Sequence, residues 1–186
     1  MPETTWVDGD VATVAKLNQI EDQIIVTCTA GTRPTGVEGR RIFETDTNRE
    51  LLYDGAAWVI MWSPWTAFTP VWTSTTLTDS TNAGSLQYSD GNLRLRYTLT
   101  FGASTAFTGS AQVDIPNSHT SANDGVDTVG VMYLRDSGAS NEYTGIVRVA
   151  PNTTKITLFS QNNVNATNPF TWATGDSLSI FVEVPL

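Results

Sequence analysis

The sequence is poor in the residues on which many catalytic and metal sites depend. It has one cysteine, Cys28, and one histidine, His119, among 186 residues. A single cysteine cannot form an intrachain disulfide, and it leaves no partner for a cysteine-based zinc site. We therefore expect Cys28 to pack as a small apolar side chain. No metal and no cofactor is expected.

Positive charge is also scarce. Ten lysines and arginines stand against 19 aspartates and glutamates, which gives a formal net charge of -9. An acidic chain is repelled by phosphate backbones and by anionic membrane surfaces. The sequence contains no apolar run of about 18 residues, and its N-terminus lacks the basic and apolar blocks of a signal peptide. We therefore expect no nucleic-acid partner, no membrane partner, and synthesis in a cytoplasm.

Catalytic motifs are missing as well. Neither glycine-rich phosphate loop is present. His119 lies beside Ser118 and close to Asp124, the residue types of a hydrolytic triad. A nucleophile and a base adjacent in one loop do not have triad geometry, so a solvent-exposed loop histidine is the favoured interpretation. The chain is predicted not to be an enzyme.

Two carboxylate pairs have structural explanations. Asp124 and Asp127 in "NDGVD" could serve glycosidase chemistry or bind calcium, but turn formation explains them more simply. Asp8 or Asp10 in "DGD" can accept hydrogen bonds from the free amides of a first helical turn.

An amphipathic pattern follows that cap. Leu17, Ile20 and Ile24 recur at spacings of three and four, with Val14 and Ile25 beside them. This periodicity predicts a short helix within an N-terminal anchor segment, residues 1–30. An isolated helix of this length is marginal in water. It therefore needs cover, either from its own C-terminal domain or from other copies of the chain.

Residues 31–63 predict a small β-meander. Apolar stretches at 40–43, 51–53 and 58–61 alternate with turn residues, and Asp54-Gly55 is a strong hairpin signal. Three short strands bury little surface alone. Phe43, Tyr53 and Trp58 are therefore expected to find cover elsewhere.

Residues 64–186 predict a head domain made of strands. In 93–102, leucines and aromatic residues alternate with arginines and threonines, and further strands are predicted at 109–116, 127–136, 143–151, 154–160 and 176–186. This pattern favours a mainly β protein with an antiparallel β-sandwich or jelly-roll-like head. The Ser/Thr/Asn-rich stretches 73–85, 117–124 and 160–169 are interpreted as loops.

Tryptophan is abundant, with six residues, four of which lie between positions 58 and 72. Most are expected to fill seams between elements, where large apolar area is needed. Trp172, in the "NPFTWATGD" stretch, is the one candidate for a ligand contact.

Three stretches together resemble structural proteins of tailed bacteriophages. "WVDGDVATVAKLNQIEDQI" resembles an N-terminal segment of such proteins, and "TRPTGVEGRRIFETDTNRELLYDGAAW" is similar to a small module of phage fibre and head-associated proteins. "FTPVWTSTT … LRYTLTFGASTAFTGSAQVDIP" is similar to a β-domain found at their ends. The matching residues of the first two stretches are Trp6, Asp8, Gly9, Ala15, Leu17, Asn18, Ile20, Glu21, Arg33, Pro34, Gly39, Ile42, Phe43, Glu44, Thr45, Asp46, Thr47, Tyr53, Gly55 and Trp58.

The resemblance implies a virion surface protein that is a homotrimer. The short chain, without a long shaft, favours a compact capsid decoration protein or head fibre over a long tail fibre. In this hypothesis the β-meander 31–63 forms a collar. Three copies of the helix and collar meet around one axis through Val14, Leu17, Ile20, Ile24, Phe43 and Trp58. The alternative is a tail-associated receptor-binding or carbohydrate-binding protein that recognises the host surface, in which Trp172 would contact a host surface glycan. Attachment to capsid or to tail is left open.

Overall fold

The computed structural model describes residues 25–186, and the protein is mainly β. The predicted N-terminal helix, with Val14, Leu17, Ile20 and Ile24, lies outside the described residues. The described part contains fourteen strands and two short 3-10 turns, Ala30–Thr32 and Pro116–Ser118. The chain divides into two compact units: a first unit up to Pro64 that includes Tyr88–Gly91, and a second unit of Trp65–Gln87 and Asn92–Leu186.

The first unit is a small sheet. Its strands are β1 (Val26–Cys28), β2 (Arg41–Glu44), β3 (Arg49–Tyr53) and β4 (Trp58–Trp62). β2, β3 and β4 form the predicted antiparallel meander, while β1 adds to β2 in parallel. The turn at Asp54-Gly55 forms as predicted: the carboxylate of Asp54 accepts the backbone N–H groups of Ala56 and Ala57, at 2.8 and 2.7 Å.

The second unit contains the remaining strands. They are β5 (Thr66–Phe68), β6 (Trp72–Thr76), β7 (Thr81–Ser89), β8 (Asn92–Thr100), β9 (Ala106–Asp114), β10 (Thr128–Asp136), β11 (Asn141–Val149), β12 (Lys155–Ser160), β13 (Asn162–Asn163) and β14 (Ser177–Pro185); the last two residues of β7 belong to the first unit. Neighbouring strands follow the order β7-β8-β14-β10-β11-β12-β9-β6, with β5 beside β7 and β13 beside β12. The pairings run antiparallel.

This sheet folds back on itself around one core, as a β-sandwich does. The hydroxyl of Tyr97 in β8 donates to the carbonyl of Asp114 in β9 at 3.0 Å, although four strands separate β8 from β9 in the sheet order. The indole N–H of Trp72 in β6 donates to Asn82 of β7 at 2.9 Å. Burial of the Tyr97 hydroxyl in this core raises its pKa.

The predicted alternation of β8 is confirmed. Leu93, Leu95, Tyr97, Leu99 and, just beyond the strand, Phe101 are buried, while Arg96, Thr98 and Thr100 are exposed. The loop prediction for 73–85 was wrong: this stretch contributes most of β6 and the first half of β7. Threonine is polar, but its branched Cβ suits a half-buried pleated strand, which explains the difference.

Candidate interaction surface

The residues of the "R-P … ETDT" motif hold the first unit together. Glu44 is fully buried, and its carboxylate accepts hydrogen bonds from Arg33 and from the hydroxyl of Thr47. Burial alone raises the pKa of Glu44, but the bonds from Arg33 and Thr47 lower that pKa more, so it lies below its ordinary value. The carboxylate of Asp46 accepts the backbone N–H of Ala30 at 3.0 Å. These motif residues therefore stabilise the fold of the first unit.

The other first-unit residues predicted at the trimer interface are partly covered. Phe43 and Trp58 are both half-buried, and Trp58 packs edge-on against Tyr53 with ring centroids 5.3 Å apart. Cys28 is also half-buried, and burial together with the nearby Glu44 raises the pKa of its thiol. The role of Phe43 and Trp58 in a trimer stays a prediction.

Trp172 lies in an aromatic cluster of the second unit. Its ring stacks on Phe101 with centroids 4.6 Å apart, and it also contacts Phe107 and Phe170, at 5.1 and 4.5 Å. The indole N–H donates to the carbonyl of Asn165 at 3.1 Å. The ring and the indole N–H of Trp172 therefore already have contacts within the domain.

The loop that contains the single histidine is partly packed. His119 is half-buried rather than exposed as predicted, and this burial lowers its pKa. The Asp124 carboxylate accepts the N–H of Val126 at 3.0 Å, which is a turn contact, and Asp127 pairs with Arg148 at 3.5 Å. Between residues 25 and 186, no cluster of three or more His, Cys, Asp or Glu side chains is placed to hold a metal ion.

The most unusual feature of the second unit is the outward side of its sheet. We call the outward side chains of β8, β14, β10, β11 and β12 the outer face. Across it, residues directly opposite one another form a single row through all five strands: Arg96, Phe181, Val131, Ile146 and Phe159. Four of the five are apolar. Val131 is 63% exposed, Ile146 48% and Phe181 41%.

A second row runs beside the first and is polar. Thr98, Ser179, Tyr133 and Thr144 are directly opposite one another on β8, β14, β10 and β11, so their side chains form a line of hydroxyls. The Tyr133 hydroxyl is hydrogen-bonded to Glu142, which raises the pKa of Tyr133. The second row, together with Arg96, Phe181 and Val131 of the first, lines an open groove of ≈ 690 Å³.

Arginines border this apolar row. The guanidinium of Arg96 lies 4.1 Å from the ring centroid of Trp65, a cation–π contact. Arg94 pairs with Glu183 at 3.0 Å, and Arg135 lies opposite Glu142. The outer face thus carries at least as many arginines as carboxylates, although the chain as a whole is strongly acidic.

The sequence contained a signal for this surface that periodicity analysis missed. In β10 the stretch "VGVMYL" is apolar on both alternating sets of positions. Such an unbroken apolar strand is typical of sheets covered on both faces. Gly130, Met132 and Leu134 face the core, and Val131 and Tyr133 face outward.

Comparison of the chain with protein-family models, curated proteins and solved structures gave no match. In the described part of the chain, no helix has the length and apolarity needed to span a membrane.

Proposed function

We propose that the chain is a non-enzymatic structural protein of a tailed-bacteriophage virion. In this proposal it is a homotrimer on the virion surface, docked on the capsid as a decoration protein or head fibre. Its N-terminal region makes the attachment, and the β-sandwich of the second unit faces outward. Contact with other virion proteins, rather than chemistry, is its activity.

The observation that carries this proposal is the structural role of the phage-like motif in the first unit. Within the first unit, Glu44 of that motif accepts hydrogen bonds from Arg33 and Thr47, and Asp46 accepts the backbone N–H of Ala30. A motif whose polar groups bond to one another specifies a fold and leaves little for a substrate. This supports a unit that connects and positions, as the resemblance implies.

A tail-associated receptor-binding or carbohydrate-binding protein is the second candidate. Its predicted contact, Trp172, stacks on Phe101 and donates to Asn165. A sugar ring needs an open aromatic face to stack on, so this placement gives the candidate little support. Loss of binding to host cells in Trp172→Ala would favour it.

The test is the location of the protein in purified particles. Phage particles are prepared from a lysate of cells that carry the gene for the chain and are banded by density. Peptides of the chain are then measured in each fraction. We expect them in the particle fraction, in constant ratio to the major capsid protein. Their restriction to the soluble fractions would contradict the proposal.

Rebinding tests the attachment. Purified full-length protein is added to particles that lack it, beside a chain without residues 1–24, which keeps β1 and the bond between Ala30 and Asp46. The full-length protein should bind and the shortened chain should not, while circular dichroism of the shortened chain shows an intact β fold. Equal binding by both would remove the N-terminal region from the attachment site.

A further inference from the structure

We infer that the outer face of the second unit is an interface between copies of this chain. This interface is distinct from the N-terminal one predicted from the sequence. The inference rests on the geometry of the sheet and does not require the virion assignment.

The first step is the continuity of the apolar row. Phe181, Val131, Ile146 and Phe159 are direct cross-strand neighbours on four adjacent strands, so their side chains form one stripe. Singly scattered apolar residues are normal on a protein surface, but a contiguous stripe marks an interaction site. The stripe lies on a regular sheet, which presents a pre-formed surface for docking.

The second step concerns β10, the central strand of the stripe. Its inward side chains Met132 and Leu134 are buried, at 2% and 0% exposure, while its outward Val129 and Val131 are 59% and 63% exposed. The composition is that of a strand with cover on both sides. A partner is needed to provide the second layer.

The third step is charge, which identifies the partner as another copy. The chain has a net charge of -9, yet four arginines, Arg94, Arg96, Arg135 and Arg148, project from the outer face. Three carboxylates lie beside them, those of Glu142, Glu183 and Asp127, the last paired with Arg148. Residues 25–186 therefore carry their acidic excess outside the outer face. An arginine-bordered apolar face is complementary to such an acidic surface on the next copy.

This complementarity favours contact between two different surfaces over contact between two identical faces. Two outer faces brought together would place two surfaces with more arginines than carboxylates against each other. A contact between unlike surfaces repeats from copy to copy and closes into a ring when the rotation allows it. A three-membered ring is the arrangement that fits the proposed homotrimer.

The experiment is sedimentation equilibrium of the full-length chain and of Val131→Lys. Val131 is exposed in the single chain, so lysine at this position leaves the fold intact but places a charge in the middle of the stripe. We expect self-association to weaken at least about 100-fold. The matched control is Val71→Lys, which changes a valine of similar exposure, 61%, outside the outer face. It should assemble like the parent chain.

A second variant guards against misfolding. If Val131→Lys loses its β spectrum, Ile146→Lys, at the next position of the row, decides the question. Assembly of both variants like the parent chain would overturn the inference and place the interface elsewhere, for example at Leu17 and Ile20. A parent chain that is monomeric at about 100 µM would also overturn the inference.

Discussion

The two units of this protein are stabilised by different means. Among the described residues, the fully buried apolar side chains of the first unit are Ile42 and Leu51, and beside them lies a buried carboxylate, Glu44. The second unit buries apolar side chains from β6 to β14, with Leu93, Leu95, Val147 and Ile156 at 0% exposure. The first unit is therefore specified mainly by polar contacts, and the second by a large apolar core.

The difference shows what each unit needs to stay folded. A fully buried apolar side chain contributes roughly 1.5–3 kcal/mol, so a large core is stable without ionic bonds. A four-stranded sheet with so few buried side chains depends on each of its hydrogen bonds. Changes in charge should affect the first unit, and changes in core volume should affect the second.

The largest effect is expected from Leu95→Ala in the second unit. Leu95 is 0% exposed, and truncation leaves a cavity that costs about 2–5 kcal/mol of the free energy of unfolding. Denaturant unfolding measures this cost. Val131→Ala, at a 63% exposed site on the same sheet, is the control and should change stability by less than about 0.5 kcal/mol. Equal costs would refute the assigned core.

The next effect tests the buried carboxylate of the first unit. Glu44→Gln removes the charge that Arg33 and Thr47 bond to, and should therefore destabilise this unit. The loss should be about 1–2 kcal/mol and no more, because partly exposed Arg33 regains water. Hydrogen exchange of β2 amides should rise, while β8 stays protected. Glu50→Gln is the control: its pair with Arg41 is on the surface and contributes about 0–1 kcal/mol.

A fall in pH should also destabilise the first unit more than the second. The pKa of Glu44 is lowered in the folded state, so its stabilisation is complete above the ordinary value of 4.5 and is lost as the pH falls below it. Exchange of β2 amides should therefore accelerate, once corrected for intrinsic rates, between pH 5 and the acid limit. In Glu44→Gln this dependence should flatten. An unchanged slope would show that Glu44 is not the responsible group.

The smallest effect is expected at the β3–β4 turn. Gly55 has φ +100°, a conformation that side chains rarely adopt, so Gly55→Ala should cost about 1 kcal/mol in the first unit. Gly31→Ala is the control, because a Cβ at Gly31 would meet nothing within 4 Å and its φ is not positive. Thermal unfolding followed by hydrogen exchange of β4 compares them. A greater cost at Gly31 would contradict the turn assignment.

Much of the fold was predictable because period-2 patterns dominate it. The leucines and arginines of β8 alternate, and the Asp54-Gly55 turn joins β3 to β4 as expected. Strands β6 and β7 were missed because their threonines, serines and asparagines carry no apolar alternation. The parallel addition of β1 depends on a contact with β2 across a long connection, which local pattern cannot predict.

The candidate surface was harder to predict than the fold. The sequence drew attention to tryptophans, yet Trp172 packs against other aromatic rings. The outer face is built from Val131, Ile146 and Phe181, which come from three strands and align only through the register of the sheet. Register depends on the whole strand order, so no single stretch of sequence could reveal the stripe.

The measurement that tests the account most directly is the solution mass of the full-length protein by light scattering. One chain has a mass of 20.2 kDa. The account predicts three times this mass, held across a dilution series into the micromolar range. A mass of one chain at every concentration would contradict both the proposed homotrimer and the interface on the outer face.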